Sequence, residues 1–134
     1  MSREEIAVDK RRLNGYNCAQ AVVCTYCEDL GLDEKTAFVI SEGFGGGMGC
    51  TKSTCGALCG AVMAAGLKNS TADMQKGSSK GTTYLTTRQM VKRFEEEAGA
   101  LRCRDIKGIE TGKMLCDCAD CVRIACRLVE DLVL

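Results

Sequence analysis

Apolar residues recur at three- and four-residue intervals along most of this chain, and no stretch sustains a two-residue alternation. Residues 3–13 set Ile6, Ala7, Val8 and Leu13 among charges and predict a short amphipathic helix that stops at Asn14-Gly15, a pair suited to a C-terminal cap. The next stretch carries two stripes: Cys18, Ala21, Val22 and Thr25 on one, and Ala19, Val23, Tyr26 and Leu30 on the other. Such a helix, capped by Asn17 and ended by Gly31, is apolar nearly all round and is expected at the centre. Asp33 can cap a third helix with Ala37, Phe38 and Ile40 inward. After Thr54 the residues turn small and apolar: Ala57, Leu58, Ala61, Val62, Ala64, Ala65 and Leu67. They predict a buried helix from Cys55 to Gly66, with Ser53 or Thr54 as its N-cap. Residues 69–79 read as a polar linker. Tyr84 to Ala98 reads as a helix ending at Gly99, with Leu85, Met90, Val91 and Phe94 at helical spacing, although Thr82, Thr83, Thr86 and Thr87 weaken its start. Cys103 opens a turn or short helix. A loop over 113–120 holds Cys116 and Cys118, and Cys121 to Leu132 forms a last helix with Val122, Ala125, Leu128 and Val129 inward. The expected fold is all-α, a compact bundle of about five or six helices in one domain over residues 1–134.

Composition narrows the function. Eighteen basic and eighteen acidic residues cancel, so no nucleic-acid partner is expected. The chain has no histidine, which removes the commonest general base and every Cys-His or Ser-His catalytic pair. No proline interrupts the helices. The charged N-terminal stretch lacks the apolar core of a secretory signal, and no apolar run is long enough to span a membrane, so a cytoplasmic location and no membrane partner are expected. Thiols in that compartment stay reduced, and eleven is an odd number to pair, so the cysteines are not read as a disulfide framework. A homodimer is compatible with zero net charge and the apolar second helix.

The chemistry gathers on residues 43–67. Gly43, Gly45, Gly46, Gly47 and Gly49 run into Cys50, Cys55 and Cys59. Gly45, Gly46, Gly47, Gly49 and Cys50 are candidate cofactor-binding residues, since such a loop can bring backbone N–H groups close to a cluster. Cys55 falls in the first turn of the predicted helix, where the dipole should favour its thiolate. Cys59 lies one turn on, and either faces the same site or packs in the helix interface. Cys55 and Cys59 are thus candidate redox thiols. Cys24 and Cys126 sit mid-helix and are read as small buried hydrophobes. Cys24 and Cys27 form a C-x-x-C without the strand-to-helix context of a thioredoxin. Cys118 and Cys121 form a second at a loop–helix junction, with Cys116 adjacent. Candidate ligands are therefore scattered: Cys18, Cys50 or Cys55, Cys103, and Cys116, Cys118 or Cys121. All-thiolate donors select zinc, copper(I) or iron–sulfur clusters. A phosphate-loop reading of the glycine run fails because Lys52-Ser53 does not follow a glycine and no strand precedes it. Lys52 is either a solvated cation or one that lowers a nearby thiol pKa, and Glu42 a surface carboxylate or a proton donor.

Asn17-Cys18-Ala19-Gln20, Gly49-Cys50, Thr54-Cys55-Gly56-Ala57-Leu58-Cys59-Gly60, Cys103-Arg104-Asp105 and Cys118 ahead of Val122-Arg123 resemble the redox-active proteins named C_GCAxxG_C_C. The resemblance runs from Gly15 to Leu132. It implies a small helical bacterial protein with four characteristic cysteines, which fall here on Cys18, Cys55, Cys103 and Cys118, with Cys121 as the other candidate for the fourth. The family is also similar to the iron–sulfur-binding part of split-Soret cytochromes c. The resemblance further implies one long helix over 73–97, in place of a linker followed by a helix. The leading expectation is an iron–sulfur protein that passes electrons to a redox partner protein. A metal-free thiol–disulfide oxidoreductase and a Cys₄ zinc site that only holds the bundle together are the alternatives.

Overall fold

The computed structural model describes residues 1–134 and contains seven right-handed helices and no strand: α1 (Arg3–Leu13), α2 (Cys18–Tyr26), α3 (Glu34–Ser41), α4 (Gly56–Asn69), α5 (Lys80–Ala98), α6 (Cys103–Lys107) and α7 (Cys118–Leu132). Four of the predicted caps are in place. Asn17 accepts from the Gln20 N–H while the Gln20 side chain accepts from the Asn17 N–H, a reciprocal capping box at the start of α2. Asp33 accepts from the Thr36 N–H at the start of α3. Gly31 closes the 3-10 turn Cys27–Leu30 that continues α2, and Gly99 closes α5, both in the left-handed conformation.

α2 lies in the middle of the bundle. Ala19, Ala21, Val22, Val23 and Tyr26 are fully buried, and the helix packs on α1, α3 and α4. Its approach to α4 is close because α4 offers almost no side chain there. A Cβ on Gly60 would come within 2.7 Å of the Ala19 carbonyl oxygen, and Ala57, Ala61, Ala64 and Ala65 are fully buried. Leu58, Met90, Phe94, Val122, Leu128 and Val129 fill the remaining core, each contributing about 1.5–3 kcal/mol by its burial. A smaller cluster of Val23, Cys24, Cys27 and Ala37 sits between α2 and α3. No helix is long and apolar enough to cross a membrane.

Several expectations are corrected. α5 begins at Lys80, and residues 70–79 are turns, so the linker read from the residues stands and the long helix implied by the resemblance does not. Gly77, with φ +58°, interrupts any helix there. α7 starts at Cys118, three residues earlier than the apolar stripe suggested, because Asp117 caps it by accepting from the Asp120 N–H at 2.7 Å. Cys55 is itself the N-cap of α4 rather than a first-turn residue. Ile6, Leu13, Ile40, Leu85 and Val91 face outward, since their helices are each covered on one side only.

The glycine run is not a passive connection. Gly46, Gly47, Met48 and Gly49 all have φ between +61° and +75°, which makes one left-handed turn. Two of its glycines are also required by space. A Cβ on Gly45 would lie 2.3 Å from the Asn17 side chain, and one on Gly47 would lie 2.6 Å from Cβ of Cys103.

Candidate metal centre

Six of the eleven cysteines line one cavity of about 340 Å³: Cys18, Cys55, Cys103, Cys116, Cys118 and Cys121. Four of them stand at helix starts. Cys18 is the first residue of α2, Cys103 of α6 and Cys118 of α7, and Cys55 caps α4. Four helix N-termini thus meet at one space, each bringing the positive end of its dipole, an arrangement that favours negative charge.

Backbone bonds hold these starts together. Residues 51–55 run alongside 101–104: Cys55 N–H donates to Leu101 at 2.8 Å, Cys103 N–H to Ser53 at 2.9 Å, and Arg104 N–H to Thr51 at 2.8 Å. Thr54 and Arg102 form an isolated antiparallel bridge within this pairing. Leu115 N–H donates to Ile106 at 2.8 Å, which brings the Cys116 loop to α6. The Asn17 amide donates to the Glu42 carbonyl at 2.8 Å and ties Cys18 to the glycine run. Gly56 must be glycine for the same reason of space, since a Cβ there would lie 2.6 Å from Sγ of Cys18 and 2.8 Å from the Phe44 carbonyl oxygen.

Within the wall, Cys18 neighbours Cys55, Cys55 neighbours Cys121, and Cys121 neighbours Cys116. These contacts set their acidity. The hydrogen bond to Cys55, and then burial, push the Cys18 thiol well above the ordinary range, against the Gly46 N–H and the Arg11 guanidinium, which favour its thiolate. The hydrogen bond to Cys121, with burial, pushes Cys55 up to about 12, opposed by Cys18 and by the Ala57 N–H at the start of α4. Burial raises Cys103 and Cys116 as well, with Lys107 opposing it at Cys103. The expected Cys55 thiolate is therefore corrected: the Cys121 thiol and burial outweigh Cys18 and the helix terminus, and the thiol form is favoured.

The remaining candidates fall outside. Gly46 is part of the cavity wall and directs its N–H at Cys18. Gly45 and Gly47 stand behind the wall against Asn17 and Cys103, and Gly49 meets nothing. Cys50 is exposed and hydrogen bonds to the Gly47 carbonyl. Cys59 is half-buried one turn beyond Cys55, faces the Thr54 carbonyl, and is not part of the wall; burial raises it to about 11. Cys24, Cys27 and Cys126 are buried away from the cavity, as small hydrophobes would be. Lys52 and Glu42 are exposed and form no part of the wall. Two cations that the sequence did not single out, Arg11 and Lys107, do. Lys107 was within reach of a sequence argument, because it stands one helical turn after Cys103. Arg11 was not, because the fold alone brings the end of α1 to Cys18.

No three cysteine, aspartate or glutamate side chains come together tightly enough to hold a single metal ion. The sulfurs surround a space instead of meeting at a point.

A model of the family described as "Putative redox-active protein (C_GCAxxG_C_C)" matches residues 16–132. The chain belongs to that family. The match takes in all six cysteines of the cavity and every helix but α1. Cys18, Cys55, Cys103 and Cys118 are the four cavity cysteines at helix starts, and Cys116 and Cys121 complete the wall. No curated protein and no solved structure matches the chain significantly.

Proposed function

We propose that this protein is a small redox carrier whose cavity holds an iron–sulfur cluster. The observation that carries the reading is the gathering of six cysteines around one space with four helix N-termini meeting at it. A soft, all-sulfur donor set without histidine suits iron–sulfur clusters, zinc or copper(I). A cavity needs only about 10–15 Å³ for a single water, so 340 Å³ is room for a polyatomic group. A tetrahedral zinc site needs only a point at which four donors meet at about 2.3 Å, whereas six cysteines here line a space larger than one ion fills. The residues therefore fit a cluster better than a lone ion.

Cys18, Cys55, Cys103 and Cys118 are the proposed ligands, and Cys121 and Cys116 stand beside them. When bound, the cluster supplies a centre that takes up and releases single electrons. The protein's part is to hold the sulfurs in place through the helix starts, to give up their protons on binding, and to keep water off the centre with Ile106 and Tyr16. Reduced ligands of this kind fit a cytoplasmic protein that exchanges electrons with a partner protein.

The ligand set is tested by replacing cysteines one at a time and measuring iron and acid-labile sulfide after anaerobic purification. Cys55→Ser and Cys118→Ser should lose most of both, while Cys24→Ala and Cys126→Ala should keep them. Equal iron content in all four variants would contradict the assignment.

The thiol contacts favour one second reading. Cys55 is placed to pair with Cys18 or Cys121, so a metal-free protein could cycle a disulfide there. The raised thiol pKa values oppose it as a fast reaction. A reversible loss of two protons per chain in native mass spectrometry, in protein free of iron, would favour this chemistry over the cluster.

A further inference from the structure

The cavity wall contains two cations and no carboxylate. Arg11 comes from the end of α1 and Lys107 from the end of α6. Neither takes part in an ion pair, although eight such contacts occur elsewhere in the molecule. Both are half-buried. Each acts on a different wall cysteine, Arg11 on Cys18 and Lys107 on Cys103. Lys107 is also held in place. Gly108, with φ +73°, ends its helix so close to the chain that a Cβ would lie 2.2 Å from the Lys113 carbonyl oxygen, and Leu115 N–H donates to the Ile106 carbonyl beside it.

Two half-buried cations without a carboxylate partner, lining one cavity, favour a negative charge in it. Thiols are neutral and do not meet that need. A cluster held by several thiolates is a net anion, and its reduction adds one more negative charge. Resting on the cluster reading above, we infer that Arg11 and Lys107 are the charge-compensating residues of this centre and set how readily it accepts an electron. The helix N-termini add partial positive charge, but that contribution falls off within a turn, whereas the two side chains carry full charges and act on different wall cysteines. Net charge is among the factors that fix the potential of such centres, so removing either cation should make the reduced state harder to reach.

The test is a redox titration of the anaerobically purified protein, with dithionite as the one-electron donor. One electron leaves dithionite and reduces the iron centre, and no bond of the protein is made or broken. Arg11→Gln and Lys107→Gln should each retain iron. Each should raise the oxidised-to-reduced ratio at fixed potential about tenfold, a fall in midpoint of about 59 mV for a one-electron couple. Arg11→Lys and Lys107→Arg, which keep the charge, should titrate with the parent. Lys107→Met keeps the apolar stem and repeats the measurement if Lys107→Gln loses iron through disturbed packing. Neutral variants with full iron and the parent midpoint would overturn this inference alone. A parent protein without iron would overturn the cluster reading and this inference with it.

Discussion

At the residue scale, the chain's glycines divide into those that make room and those that do not. Gly56 and Gly66 lie on the same helix. A methyl group on Gly56 would collide with Sγ of Cys18 and the Phe44 carbonyl, whereas at Gly66 nothing lies within 4 Å. Gly56→Ala should therefore destabilise the protein by about 1–3 kcal/mol through overpacking and displace Cys18 from the cavity. Gly66→Ala should stabilise it by about 0.4–1 kcal/mol, because alanine loses less backbone entropy on folding. Denaturant unfolding of both variants checks the pair, and a similar loss in both would contradict the account of Gly56. From the sequence, Gly56 was merely part of a family pattern. Its reason, contact with a cysteine 38 positions earlier, exists only once α2 and α4 have crossed. The same holds for the acidity of Cys55. Proximity to a helix start was legible, but the Cys121 thiol that, with burial, reverses its effect comes from another element.

At the scale of elements, the caps decide where the sulfurs stand. Asn17 closes the capping box of α2, binds the Glu42 carbonyl and packs on Gly45, and so joins the start of the central helix to the glycine run. Asn17→Ala should cost about 1–2 kcal/mol for the cap and lower iron retention as well, since Cys18 is the next residue. Thermal unfolding together with iron content separates the two effects, and unchanged iron would show that Cys18 is held without the cap.

α1, α3 and the connection between α1 and α2 are joined through Glu34, which accepts from Lys10 at 2.8 Å and from the Tyr16 hydroxyl. These bonds, Lys10 first, hold its carboxyl below the ordinary value of 4.5. A carboxyl lowered on folding stabilises the native state above its unfolded pKa, and that stability is lost as pH falls through the folded value. Melting temperature should therefore drop as pH goes below about 4.5, and Glu34→Gln should be less stable than the parent at pH 7 with a shallower acid decline. Parallel acid limbs for variant and parent would remove Glu34 from the explanation.

Most of these elements were readable in advance. Asn17, Asp33, Gly31 and Gly99 carry their cap chemistry in the residue itself, and the inward stripe of α7 is regular. The exposed Ile40 and Leu85 misled because periodicity marks an apolar stripe without saying how much of it a neighbour covers. The start of α7 was displaced because Asp117, not the first apolar residue, fixes it.

At the scale of the whole molecule, the fold is a device for bringing distant helix starts to one place. The cysteines at positions 18, 55, 103 and 118 are far apart in sequence, and the short antiparallel contact between residues 51–55 and 101–104 brings the second and third together. The all-α class followed from helical spacing and the lack of alternation. The scattered cysteines suggested a shared centre, and the resemblance pointed to the same four. What the chain did not disclose was the wall as a whole: Cys116 and Cys121 both belong to it, Cys50 and Cys59 do not, and Arg11 and Lys107 complete it. Those memberships depend on the direction in which each element enters the bundle, which no local pattern records.

The most direct measurement is metal and acid-labile sulfide content per chain, by elemental mass spectrometry and sulfide assay on the full chain purified without oxygen. The account predicts several iron atoms per chain with a matching amount of sulfide. One zinc atom per chain and no sulfide, or no metal at all, would contradict it.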